Sequence, residues 1–145
     1  MVDQVRIRDM QRDDVKHIIA IDKRIIGKER APSWQQKVEL YLETYPLKCL
    51  VAKVGDKVVG FLLGDIRGWE YGLPSSGWLE IVGVDPEYQG GGIGKKLVAA
   101  FVDYCRSGGV KSVYALIRDD DKRLAKFLRA AGLKRGHLVN FEQQV

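Results

Sequence analysis

Residues 78–96 read Trp78-Leu79-Glu80-Ile81-Val82-Gly83-Val84, then Asp85-Pro86-Glu87-Tyr88, then Gln89-Gly90-Gly91-Gly92-Ile93-Gly94-Lys95-Lys96. An apolar strand here ends in a glycine-rich turn that runs straight into an amphipathic helix. Such a join presents unpaired backbone N–H groups at the positive end of the helix, where a phosphate can sit. The stretch therefore predicts a pyrophosphate cradle, and spacing decides which kind. The dinucleotide fingerprint G-x-G-x-x-G fails, because from Gly90 its third glycine would fall on Lys95. A P-loop fails as well: Gly94-Lys95 is followed by Lys96 instead of Ser or Thr, and Gln89 stands where the first glycine is required. Gln-x-x-Gly-x-Gly does fit, on Gln89, Gly92 and Gly94, and Pro86 stops the strand before it at the right place.

This turn, with Val84-Asp85-Pro86-Glu87-Tyr88 before it, resembles the acyl-CoA-binding motif of the GNAT family of N-acetyltransferases. The resemblance implies that the backbone of Gln89, Gly90, Gly91, Gly92, Ile93, Gly94 and Lys95 holds the pyrophosphate of acetyl-CoA. It also implies that Val82, Gly83 and Val84 pair with the pantetheine arm, in a gap where two strands splay into a V.

The rest of the chain bounds that reading. With 145 residues and 46% apolar content, it predicts one domain over 1–145 with a real core. The first thirteen residues carry Asp3, Arg6, Arg8 and Asp9 and no apolar run, and nothing reaches the roughly 18 apolar residues of a membrane span. A soluble cytoplasmic protein without membrane partners is the expectation. Cys49 and Cys105 lie inside apolar patterns, which predicts buried reduced thiols and no metal site. The net charge of +5 has its basic residues late, at Lys122, Arg123, Lys126, Arg129, Lys134 and Arg135. No aromatics interleave there as in a single-strand binder, and a basic rim around CoA phosphates accounts for the same charge without a nucleic acid.

Periodicity predicts alternating short strands and helices. Val5 to Arg8 forms a strand, and Asp13 or Asp14 caps a helix with Val15, Ile18, Ile19, Ile25 and Ile26 inward. Ser33 with Gln36 forms a capping box for a second helix that buries Trp34, Val38, Tyr41, Leu42 and Tyr45. A hairpin follows over 49–54 and 58–66, and a glycine-rich loop over 67–77 leads to the strand at Trp78. After the glycines come a helix with Leu97, Val98, Phe101, Val102 and Cys105 on one stripe, a strand over 111–117, and a helix begun by Asp119 to Asp121 with Leu124, Phe127, Leu128 and Ala131 inward. A last strand covers about Arg135 to Glu142. This order resembles the GNAT fold over essentially the whole chain. It implies an α/β (α+β) domain: a mixed, mostly antiparallel twisted sheet of six to seven strands splayed into a V, flanked by about four helices.

For chemistry, a lysine-type amine acceptor has a pKa near 10.4 and must lose a proton before it attacks a thioester. Glu80 is the one charged side chain in the strand Trp78 to Val84, where burial would make it a stronger base; acidic residues at the matching position act as base in relatives such as the polyamine acetyltransferases. The alternative for Glu80 is a surface pairing, for instance with Arg67. A backbone N–H near Val82 could stabilise charge on the thioester oxygen. The sequence departs from the family where many relatives carry a tyrosine four residues before the glycine that ends the last helix, since Leu128 stands there. The leaving thiolate then departs unprotonated, or another donor such as Tyr71 serves. Asp119 or Asp121 occupies the region of the family's pantetheine-contacting asparagine.

The resemblance places the acceptor between the first two helices and the loop before Trp78. Glu29, Trp34, Trp69, Glu70 and Tyr71 lie in those stretches and suit a cationic amine: a small molecule, a protein lysine or an N-terminus. The leading expectation is an acetyl-CoA-dependent N-acetyltransferase working by direct attack in a ternary complex. A CoA-binding regulatory module, motivated by Leu128, and a nucleic-acid-binding domain, motivated by the late basic cluster, are the alternatives. A homodimer is expected by family habit and from the exposed edge of the last strand.

Overall fold

The computed structural model describes residues 4–145. One sheet has the order β1-β2-β3-β4-β5: β1 (Val5–Asp9), β2 (Lys48–Val54), β3 (Lys57–Arg67) and β4 (Ser76–Val84) pair antiparallel in turn, and β5 (Val113–Ala115) joins β4 in parallel. Four helices flank it, α1 (Val15–Ile26), α2 (Trp34–Leu40), α3 (Ile93–Ser107) and α4 (Lys122–Ala130). Alternation along the strands divides the core between two faces. Val51, Phe61 and Leu63 pack beneath α1 and α2 with Ile18, Ile21 and Val38, whereas Leu50, Val59, Leu62 and Leu79 pack beneath α3 with Leu97, Val98 and Phe101.

The start of α1 is held less by a cap than by an ion pair. Asp14 does not cap the helix with its side chain; buried, it takes two hydrogen bonds from Arg8, at 2.7 and 3.1 Å, and one from the Gln11 N–H at 2.7 Å. Burial alone would raise the Asp14 carboxyl, but the hydrogen bonds from Arg8 and Gln11 outweigh it and hold the group below the usual carboxylate range. Both thiols are free and buried as expected, with burial pushing Cys49 up to about 12 and Cys105 to about 11.

Several sequence expectations need correction. The sheet has five strands instead of six to seven. Ser33 makes no side-chain cap hydrogen bond, and Tyr45 lies 85% exposed, because α2 ends at Leu40 and the chain turns before reaching it. The strand expected over 111–117 pairs only at Val113–Ala115, and the helix after it buries none of its residues. Residues 135–142 form no strand at all.

Candidate active site

β4 carries the geometry. Its parallel pairing with β5 is confined to Gly77, Trp78 and Leu79, so the two strands part at Glu80 and the remainder of β4 has no strand on that side. Pairing with β3 slips at the same place: Leu63 faces Ile81 and Gly64 faces Leu79, leaving Glu80 as the extra residue of a β-bulge. Bulge and splay coincide at one residue. Val82, Gly83 and Val84 follow along the open edge.

At the end of β4, Asp85 accepts from the Glu87 N–H at 3.0 Å and receives Arg24 of α1 at 2.6 Å, which fixes the turn through Pro86–Tyr88. The chain then enters α3 through Gly90, Gly91 and Gly92. Gly92 is the N-cap at φ 82°, a left-handed conformation that a side chain resists. The first intrahelical bond outside the regular α3 ladder runs from the Lys96 N–H to the Gly92 carbonyl at 3.1 Å, and the N–H groups of residues 89–95 take no backbone acceptor among the described residues. A row of unpaired amides at a helix start is what an anion needs. Gly94 serves a different purpose: a Cβ there would lie 2.8 Å from the Phe127 ring of α4, so this glycine lets the two helices touch. The Gln89 side chain donates to the Val84 carbonyl at 3.1 Å and accepts from Arg123 at 3.2 Å, tying the cradle to α4. Lys95 is exposed on α3, and Asp119 lies exposed before α4, whose N-cap is Asp121, accepting from the Leu124 N–H at 3.0 Å.

Glu80 is not buried: its side chain is 27% exposed and pairs with Arg67 at 3.1 Å, which removes the premise of a desolvated carboxylate. Asp65 lies 3.8 Å from the same guanidinium, which sits 5.1 Å from the Trp78 ring centroid. Tyr41, buried at the end of α2, belongs to this group. Burial first, then the nearby charges of Glu80 and Asp65, push its hydroxyl up to about 12, so it stays protonated as a donor. Tyr71, Trp78 and Tyr114 form an aromatic row, with centroids 5.2 and 5.0 Å apart.

Of the residues expected around the acceptor, Tyr71 joins this row beside the carboxylates. Glu70 is turned inward to its own loop, accepting from the Gly68 N–H at 2.7 Å, and Trp69 projects outward at 81% exposure. Trp34 is in the core under the Arg30 guanidinium, itself gripped by buried Asp22 at 2.6 and 2.9 Å, while Glu29 faces solvent near Lys23. Asp65 and Tyr41 were not singled out from sequence. Asp65 had a signal, since it is the one charged residue in Val58 to Ile66, the same pattern that marked Glu80. An open groove of about 550 Å3, lined by His17, Ile21, Arg24, Asp56 and Lys57 among others, shares no residue with the Glu80 cluster and meets the turn before α3 only through Arg24.

Comparison with known proteins decides the family. The family model described as "Acetyltransferase (GNAT) family" matches residues 12–133. This chain belongs to the GNAT family. The chain is 35% identical over 88 residues to the N-alpha-acetyltransferase RimI of Mycobacterium tuberculosis, covering 58% of this chain and 50% of that protein. It is 30% identical over 83 residues to a mycothiol acetyltransferase of Kocuria rhizophila, covering 57% of this chain and 27% of that one. The matches thus span half or less of these curated relatives. Among solved structures, aminoglycoside N-acetyltransferase AAC(6')-Iy in complex with CoA superposes with a TM-score of 0.84 at 20% identity, over 97% of this chain and 95% of that one. The GNAT fold therefore extends across the described chain. Among the described residues no helix is long and apolar enough to cross a membrane, and no cluster of His, Cys, Asp and Glu could hold a metal.

Proposed function

We propose that this GNAT protein is an acetyl-CoA-dependent N-acetyltransferase whose acceptor is a cationic primary amine. The observation that carries the reading is the coincidence at Glu80 of the β4 bulge and the parting of β4 from β5, one strand-length from a row of unpaired amides. Acetyl-CoA, when bound, supplies the acyl thioester. The amides of residues 89–95 hold its pyrophosphate, and the free edge of Val82 to Val84 aligns its pantetheine arm with the gap.

The acceptor side follows from charge. Glu80 and Asp65 present two carboxylates beside the Tyr71, Trp78 and Tyr114 row, a setting that attracts an ammonium ion. The Glu80 carboxylate takes the proton from that ammonium, directly or through one water, and Arg67 holds the carboxylate oriented toward it. Leu128 supplies no proton for the departing thiolate, so the thiolate leaves unprotonated or takes its proton from Tyr71 or solvent. The names of the relatives fit this reading, since N-termini and small-molecule amines are both cationic before attack.

Leu128 also favours a second reading, a CoA-binding module with little turnover. Thiol release from acetyl-CoA, measured against polyamines, lysine and N-terminal peptides and an aminoglycoside, separates the two. Release dependent on one amine class establishes the enzyme, and CoA binding without release across the panel leaves the module. Glu80→Gln is expected to lower kcat at least about 10²-fold, with CoA affinity unchanged. Equal kcat for the two proteins would return Glu80 to a surface ion pair with Arg67.

A further inference from the structure

Arg67 closes β3, and its side chain reaches both carboxylates of the acceptor pocket as well as the aromatic row. It lies two residues after Asp65 on one strand, and so on the same face. Its guanidinium is 3.1 Å from the Glu80 carboxylate and 3.8 Å from that of Asp65, and it sits 5.1 Å from the centroid of the buried Trp78 ring. The backbone beneath it is fixed: Arg67 faces Ser76 across the β3–β4 ladder, and its carbonyl accepts from the Trp78 Nε1–H at 3.2 Å. Its Nε is buried without a hydrogen-bond partner among the described residues, a placement that costs stability. Packing alone therefore does not account for an arginine at the end of this strand, whereas the two acids and the ring do. Two carboxylates against one guanidinium leave the cluster a single negative charge. Glu70, three residues on, is exposed and spends its carboxylate on the Gly68 N–H of its own loop.

We infer that Arg67 fills the second cation seat of the acceptor pocket and thereby sets its specificity, admitting an amine with one positive charge ahead of a diamine or polyamine. The inference rests on the N-acetyltransferase reading and names its substrate class. A pair of carboxylates beside an aromatic ring is a setting for two cations, one over the ring and one at the acids. Here the chain supplies the cation over the ring, and only one charge is left for the acceptor ammonium to neutralise. A second ammonium a few carbons along the acceptor would meet the guanidinium, like charge against like, at a ring already covered. Because Arg67 is anchored by its ladder pairing and drawn to both acids, a diamine has to break those contacts to take its place. Arg67 takes no proton and forms no bond in the reaction; it acts on which amine enters.

The test is kcat/KM, by thiol release from acetyl-CoA, for singly against multiply charged amines: n-butylamine against 1,4-diaminobutane, and a peptide N-terminus with neutral side chains against an aminoglycoside. The unsubstituted protein is expected to favour the singly charged member. Arg67→Gln, which leaves the acids uncompensated, is expected to move the ratio toward the multiply charged member by about tenfold or more at low ionic strength, and Arg67→Lys to hold it near the original value. Asp65→Asn combined with Arg67→Gln returns the cluster to a single negative charge and keeps an Oδ1 acceptor for the Ile66 N–H. That double variant is expected to restore the original preference, which a merely structural role for Arg67 would not do. Calorimetric CoA binding verifies that each variant is folded. If Arg67→Gln fails that check, Asp65→Asn alone carries the test: it leaves no net charge and is expected to raise KM for the singly charged amine by about tenfold, and an unchanged KM would overturn the inference. So would a preference for multiply charged amines in the unsubstituted protein, an unchanged ratio or a loss of all release in folded Arg67→Gln, or a double variant that fails to restore the preference. No thiol release with any amine in the unsubstituted protein would overturn the acetyltransferase reading and this inference with it.

Discussion

β3 and β5 belong to one sheet and read alike in sequence, Val58-Val59-Gly60-Phe61-Leu62-Leu63 against Val113-Tyr114-Ala115-Leu116-Ile117. In the fold they differ sharply. β3 runs eleven residues, seven of them buried, between β2 and β4 and under helices on both faces. β5 runs three, none buried, with a neighbour on one side only. An apolar run becomes core only when strands flank both of its edges and helices cover its faces, and the chain supplies those neighbours for everything up to Cys105. No described residue after Cys105 is buried.

That contrast can be broken at several points. Phe101→Ala, in the α3 core against Gly64, is expected to destabilise by about 3–5 kcal/mol, with a thermal midpoint that shifts equally at every protein concentration. Gly94→Ala strikes the joint between the two parts, where the new Cβ meets Phe127 at 2.8 Å. Overpacking there is expected to cost about 1–3 kcal/mol and to weaken CoA binding in calorimetry along with stability. Gly92→Ala, whose Cβ meets nothing, is expected to cost about 1–2 kcal/mol through its left-handed backbone alone.

Asp14→Asn tests the body by itself. The native carboxyl is held below its unfolded value near 3.9, so its contribution is complete above about pH 4 and fades as pH falls through the lower folded value. The stability gap between Asp14→Asn and the unsubstituted protein should therefore be widest at neutral pH and close toward pH 2; a gap independent of pH would exclude the ion pair as its source. The smallest effect is expected from Phe141→Ala, within about 0.5 kcal/mol in thermal unfolding, because the ring is 95% exposed and packs on nothing; a loss as large as that of Phe101→Ala would show that the segment is covered.

Local chemistry accounts for what was legible from sequence. Pro86 and the glycines at 90–92 announce a strand end and a helix start whatever surrounds them, and a lone acid in an apolar strand stands out at Glu80. The same logic applied to Val58 to Ile66 would have found Asp65. Tyr41 carries no comparable mark, since a tyrosine on the apolar side of a short helix reads as core and is largely core; only its closeness to two carboxylates sets it apart.

By itself the sequence determined the glycine turn into α3, the order of elements up to α4 and the family, because turns, caps and hydrophobic periods act over a few residues. Tertiary structure alone decided the rest. The bulge at Glu80 depends on register with β3, and its pairing with Arg67 depends on two strands meeting. Gly94 is set by a helix 33 residues further on, at Phe127. The strand expected at 135–142 has the right residues and pairs with no strand, although β5 is an edge, because a strand is completed only by a neighbour, and hydrogen bonds between strands are not written in either one alone.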